Sequence, residues 1–397
     1  MNPETQEACW EGVSTGGEDI SRRDFLKMST TALLGSLLPT KLTNTLSNLE
    51  EEIGFEKETH EVNIDELPVY FRGIINGAME SRVNSAGVVE VCESNNEIDF
   101  APVPVIQTAI NKNYLYLAKA NPHYRCKETK GIVFHSFGAS QHLLDTYMPH
   151  RSAKEYVENG FAQATSAMFL VGDEKFDSRK DLINSVPSIV QCELPSPEGC
   201  LVHSAHARDV GWDLQNTLYL ARMNHVCNEF DLPNDISVLQ TLHKVGENSA
   251  PNRSTIGIEI TGLNFDKKED FPLPGKISSV LTLATALTKR YKISPAFNFL
   301  GHRELDYRKS DPGRRLTYLM KVLVGLTCLT KKDKVLNEIV FGPFVDKTKT
   351  NDDGVAKYFN FITTYFRESS DATEAEEYLS EIKYLELMAT VFGKEFV

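Results

Sequence analysis

Four short apolar runs and one long amphipathic stripe limit what this chain can fold into. GIVFHSF begins at Gly131, SAMFLVG spans 166–172, SIVQCEL spans 188–194, and STIGIEITGL carries Glu259. Short, continuous apolar runs rich in β-branched residues read as strands buried on both faces. Between them, SAKEYVENGF has a helix pattern closed by Gly160. Residues 276–292 place apolar side chains at 277, 280, 281, 284, 287 and 291, with Lys289, Arg290 and Lys292 near the end. That spacing predicts one helical face, with cations where the helix dipole favours them. AFNFL reads as a further strand and LTYLMKVLVGLTCL as a further helix. The alternation predicts an α/β domain over about 127–330.

The flanks have a different character. Ser21, Arg22 and Arg23, followed by Phe25, Leu26 and Lys27, match the twin-arginine export consensus, and a short apolar stretch, Ala32 to Leu38, follows. That stretch is too short to cross about 30 Å of hydrocarbon as a helix. Residues 1–45 therefore read as a twin-arginine signal peptide. The expected destination is periplasmic or extracellular, reached through the twin-arginine machinery, with membrane anchoring if the signal stays uncleaved. Residues 46–126 read as a linker and N-terminal extension. Residues 331–397, with stretches such as ATEAEEYLSEIKYLELMATVF, read as a helical C-terminal extension. A net charge of −13 over 397 residues offers no electrostatic grip on nucleic acid. Of the seven cysteines, Cys9 precedes the signal motif. The other six could pair in an oxidising compartment, Cys192 and Cys200 flanking ELPSPEG, or stay free and buried; the absence of a CxxC pair argues against a zinc knuckle.

The chemistry-bearing residues sit at the ends of the apolar runs. His135 ends one strand, Glu259 lies within another, and His302 follows AFNFL at the start of GHRELDYRKSDPG, which closes on Asp311, Pro312 and Gly313. Neighbouring strands lie about 4.8 Å apart, so side chains at their ends converge. Two histidines and one carboxylate, with a position left for water, make a catalytic zinc set. The nine residues from His302 to Asp311 could extend to about 30 Å, so the loop must double back. Asp-Pro-Gly is a turn sequence able to do so. Each residue alone has an ordinary reading: a hydrogen-bonded histidine, a plain turn, a Glu259 exposed on a sheet edge. Spacing by itself leaves the metal centre open.

The order of motifs adds to this. GIVFHS, AKEYVENGF, SAMFLV, SIVQC, HSAHARDVGW, NRSTIGIEITG and LGHRELDYRKSDPG together resemble the type-2 family of zinc-dependent N-acetylmuramoyl-L-alanine amidases, to which phage lysozyme-like amidases and peptidoglycan recognition proteins are related. The resemblance covers about 127–330 and implies a central, mostly β-sheet flanked by helices. It implies Zn2+ held by His135, His302 and Asp311, with Glu259 as catalytic acid/base and Lys309 beside the scissile carbonyl. His206 falls where the family has a histidine lining the substrate groove, although His203 lies close by. The implied substrate is peptidoglycan or a soluble muropeptide, cut between N-acetylmuramic acid and L-alanine. The chain departs from the pattern in an insertion at about 213–251, in Met168 where many members have His, and in Ala167 where some have a catalytic Tyr, which leaves the acid/base work to Glu259. Two other readings follow from the same residues: a peptidoglycan-binding protein without activity, and a zinc amidase acting on another amide. Retention of all three ligand positions, Glu259 and Lys309 weighs against the first. Arg303, Glu304 and Asp306 receive no role and read as solvated loop.

Overall fold

Six consecutive residues, Gly131–Ser136, form a strand with every side chain buried. A strand without a solvent face must be paired on both edges and covered on both sides, and the rest of the molecule is arranged around that requirement. The computed structural model describes residues 62–92, 99–103, 129–136, 169–172, 189–191, 212–233, 235–240, 254–260, 262, 264–305, 310–345 and 354–393. All of them lie in one compact unit, Thr59–Val397.

In chain order the strands are β1 (Ser81–Val83), β2 (Val89–Cys92), β3 (Phe100–Pro102), β4 (Gly131–Ser136), β5 (Phe169–Val171), β6 (Ile189–Gln191), β7 (Thr255–Ile260) and β8 (Phe299–Gly301). The helices are α1 (Val69–Gly77), α2 (Trp212–Glu229), α3 (Pro274–Tyr291), α4 (Pro295–Asn298), α5 (His302–Leu305), α6 (Arg314–Lys331), α7 (Lys334–Phe341), α8 (Gly354–Ser369), α9 (Ala372–Glu381) and α10 (Tyr384–Phe392). The main sheet has the order β6-β5-β7-β4-β8. Strands β5, β7, β4 and β8 run parallel, and β6 pairs with β5 antiparallel at the edge. The α/β expectation is met, with helices packed around a small sheet and a helical C-terminal region.

The expected helix at 276–292 is α3. Pro274 occupies its first turn, where a missing N–H costs nothing, and Lys292 closes it in the left-handed conformation at φ 54°. Its polar side chains tie down the N-terminal extension. Thr282 Oγ1 accepts from the Met79 N–H at 2.9 Å, Ser81 Oγ donates to the Thr282 carbonyl at 2.7 Å, and Ser278 Oγ donates to the Ile74 carbonyl at 2.8 Å. The antiparallel sheet β1-β2-β3 thereby joins the same core as the parallel one. Helix α8 packs on α6 and α2. Its Phe361 meets Phe297 at a centroid distance of 5.0 Å, and Phe297 stacks on Phe344 at 5.3 Å. The aromatic side chains of the C-terminal region are therefore core residues and not a cover laid over a finished domain.

AFNFL differs from the expectation. Only its last two residues enter a strand, β8, and the first three belong to the helical turn α4. Pro295 at the first helical position presets φ for a turn. The Asn298 side chain accepts from the Val238 N–H at 2.7 Å, which fixes where the turn ends. The SAKEYVENGF helix and residues 1–61 lie outside the described residues. Cys227 and Cys328 are free, buried thiols and Cys92 is half-buried, while Cys126, Cys192 and Cys200 lie outside the described residues. Among the described residues no helix is long and apolar enough to cross a membrane.

One buried cation stands out in this core. Lys321 on α6 is 2% exposed; its Nζ donates to the Ala296 carbonyl at 2.9 Å and lies 4.9 Å from the Tyr365 ring centroid. Burial lowers its pKa to about 8, with Glu304 opposing the shift. An unfolded lysine titrates near 10.4. Between those values the unfolded chain binds more protons than the folded one, so stability rises with pH across that window. Lys321→Met should remove this dependence. The difference in unfolding free energy between wild type and variant should move by about 2 kcal/mol in favour of wild type from about pH 7 to pH 10. Denaturant titrations with parallel pH dependence in both proteins would contradict the assignment.

Candidate metal centre

The sheet register assembles the site. His135 and Glu259 are directly paired on β4 and β7, and Phe134 is paired with Gly301 on β8, so His302 emerges level with His135. Directly paired residues of parallel strands point to the same face. His135, Glu259 and His302 thus lie side by side at the carboxyl ends of three parallel strands, where open α/β sheets place their ligands. All three are buried, at 2%, 7% and 7% exposure. The alternative of an exposed edge for Glu259 is removed, because β7 runs between β5 and β4.

Asp311 reaches this row from below in the chain. His302 opens the short helix α5, and the chain returns through Ser310 to the Asp311-Pro312 peptide, which is cis. The returning turn is clamped by the loop that follows β7. The Phe265 N–H donates to the Pro312 carbonyl at 2.8 Å, and Asp266 Oδ1 accepts from the Arg315 N–H at 3.1 Å. Gly313 adopts φ +98°, and a Cβ there would lie 2.6 Å from the Asp266 backbone nitrogen. The doubling back that the nine-residue spacing demanded is thus held by backbone hydrogen bonds and by a residue with no side chain.

The outcome is one carboxylate oxygen facing two imidazoles. Asp311 Oδ2 accepts from His302 Nδ1 at 3.0 Å and lies 3.6 Å from His135 Nδ1. The two rings meet edge to face with centroids 4.4 Å apart. Burial alone would raise the Asp311 carboxyl; the close approach of His135, the hydrogen bond from His302 and the charges of both outweigh it and hold the group well below the usual carboxylate range. The other ring nitrogen of His302, Nε2, is buried with no hydrogen-bond partner, an unusual state for a buried polar atom. The three residues each offer one donor atom within 4.8 Å of the others, so the cluster could hold a metal ion.

Of the sequence-derived site, His135, His302 and Asp311 come together and Glu259 stands beside His135; Lys309 and His206 lie outside the described residues. Glu304 is misread as solvated loop. It is half-buried, accepting from the Gly301 N–H at 2.6 Å and from Tyr365 OH at 2.7 Å. No local signal could have found this, because the Tyr365 partner is 61 residues away. A second donor group that could hold a metal, His225, Glu229 and Glu368, joins α2 to α8 at the surface, with His225 52% exposed.

The turn is the most constrained part of the site. Gly313→Ala should lower stability by about 2 kcal/mol or more, since it adds both a strained φ and an overlap with Asp266. An unchanged denaturation midpoint would mean that the clamp is loose.

Residues 125–314 match the family described as N-acetylmuramoyl-L-alanine amidase. No curated protein and no solved structure matches the chain. The matched segment contains the whole row of His135, Glu259, His302 and Asp311, and over those residues the chain is similar to the N-acetylmuramoyl-L-alanine amidases.

Proposed function

We propose that the chain is a zinc-dependent amidase that cuts the bond between N-acetylmuramic acid and L-alanine, in peptidoglycan or in fragments of it. The observation that carries the zinc reading is the spacing of the donors. Ligand atoms about 2.1 Å from a tetrahedral zinc stand about 3.4 Å from one another. The two histidine-to-carboxylate separations, 3.0 and 3.6 Å, bracket that value. Two nitrogens and one oxygen are also the donor set that leaves a position open for catalysis. Zinc bound there would supply Lewis-acid polarisation of the carbonyl and acidify a water.

The protein's own part falls to Glu259 and Lys309. Glu259, beside His135 in the register, takes the proton of the attacking water and returns it to the leaving amine of L-alanine. Lys309 is proposed to face the developing oxyanion, on its place in the family motif. A donor in that role is worth about 3 kcal/mol of transition-state binding. Residues 127–330 form the proposed amidase domain, and His206 is proposed as a substrate-binding residue on its place in the family motif. The twin-arginine motif at Arg22 and Arg23 supports export before action on the cell wall.

Purified protein should release free stem peptides from sacculi in a chelator-sensitive manner, seen by mass analysis. Intact muramoyl–alanine linkages after full digestion would overturn the reading in favour of a binding protein. Glu259→Gln should keep zinc and lose most activity, about a hundredfold or more; wild-type turnover would remove Glu259 from the mechanism. Asp311→Ala should lower zinc stoichiometry in elemental analysis, and an unchanged ratio would take Asp311 out of the ligand set.

A further inference from the structure

Next to the metal cluster lies a cavity of about 130 Å³. Asp311 forms part of its wall, with Gly301 and Gly313. Other walls come from elements outside the sheet: Arg222 on α2, Lys321 on α6, and Tyr365 and Phe366 on α8. Arg303 and Arg314 complete a set of four cations lining the space. In a chain of net charge −13, such a concentration of positive charge needs a local explanation.

The carboxylates that line the cavity, Asp311 and Glu304, are outnumbered by its cations. Asp311 faces two imidazoles, and Glu304 accepts from the Gly301 N–H and the Tyr365 hydroxyl and acts electrostatically on Lys321. Among the described residues, none within ion-pair distance partners Arg222, Arg303 or Arg314. Burial and then repulsion by Arg303 lower the pKa of Arg314; Asp266 opposes them, and Arg222 and Glu374 act more weakly in opposite senses. Lys321 uses one of its three ammonium hydrogens, on the Ala296 carbonyl. Gly313 gives the N-terminus of α6 no side-chain cap, so the positive end of that helix faces the same space, with one of its N–H groups taken by Asp266.

We propose that this cavity is a carboxylate-binding subsite for the peptide side of the substrate, with Arg222, Arg303 and Arg314 as its recognition residues. The proposal rests on the amidase reading for the identity of the ligand. Two features favour a carboxylate on a hydrocarbon frame. Guanidinium groups match the planar geometry of a carboxylate. Ile362, Tyr365 and Phe366 give the cavity an apolar wall that a bare inorganic anion would leave unused. Because Asp311 belongs both to this wall and to the metal cluster, a peptide held here by its acidic residue would lie within reach of the bond that is cut. The inserted helix α2 and the C-terminal helix α8 would then be specificity elements.

The test measures binding apart from turnover. Calorimetry on the full-length protein would compare an L-alanyl-γ-D-glutamyl peptide with the same peptide amidated at its carboxylates, with inorganic phosphate as a third probe. The acidic peptide should bind roughly tenfold more tightly than the amide, as expected for a charge-assisted contact. Arg222→Gln and the exposed Arg303→Gln should each cut that preference severalfold, with unchanged melting temperature as the control for folding. Equal binding of acid and amide, or a preference that persists in both variants, would overturn the proposal. Phosphate competing as well as the peptide would overturn the commitment to a carboxylate. The amidase reading is tested separately, by cleavage of the sacculus bond, so cleavage with equal binding of acid and amide would overturn the subsite alone.

Discussion

The Asp311 carboxylate is the point on which the site depends. One of its oxygens faces two buried imidazoles, and those imidazoles sit on neighbouring strands of the parallel sheet. An isolated buried carboxylate would be costly; here the histidines hold it ionised. The arrangement is possible only because the loop after β7 grips the turn containing Pro312 and Gly313. The strand that delivers Glu259 therefore also delivers, through its following loop, the third member of the cluster.

The flanking regions are part of the same physical object. Hydrogen bonds from α3 to Met79, Ser81 and Ile74 draw the N-terminal extension into the core. Phe361, Phe344 and Tyr358 fill the core from the C-terminal side. Tyr365 reaches from α8 to Glu304, two residues from His302, and so joins the C-terminal region to the segment that presents a metal-cluster histidine. A truncation at residue 330 would expose large aromatic surfaces and leave Glu304 without its hydroxyl donor.

Much of the fold could be read locally. The strand at Gly131–Ser136, the strand carrying Glu259 and the helices Pro274–Tyr291 and Arg314–Lys331 follow from apolar periodicity, because burial of a whole strand or one helical face leaves a pattern in neighbouring letters. AFNFL was harder. A short apolar run does not distinguish a helical turn from a strand, and Pro295 with the Asn298 contact decided for the turn.

What the sequence by itself determined was the set of chemically capable residues and their order: His135, Glu259, His302 and Asp311 on or next to apolar runs, in a pattern resembling the amidase family. Their convergence was left to tertiary structure, since it depends on strand register and on a turn held by a loop almost fifty residues earlier in the chain. The same holds for Glu304, Lys321 and the cationic cavity. A buried cation or carboxylate has no signature in its neighbouring letters; its environment is made by residues distant in sequence, such as Ala296 and Tyr365, and only the folded chain brings them into contact.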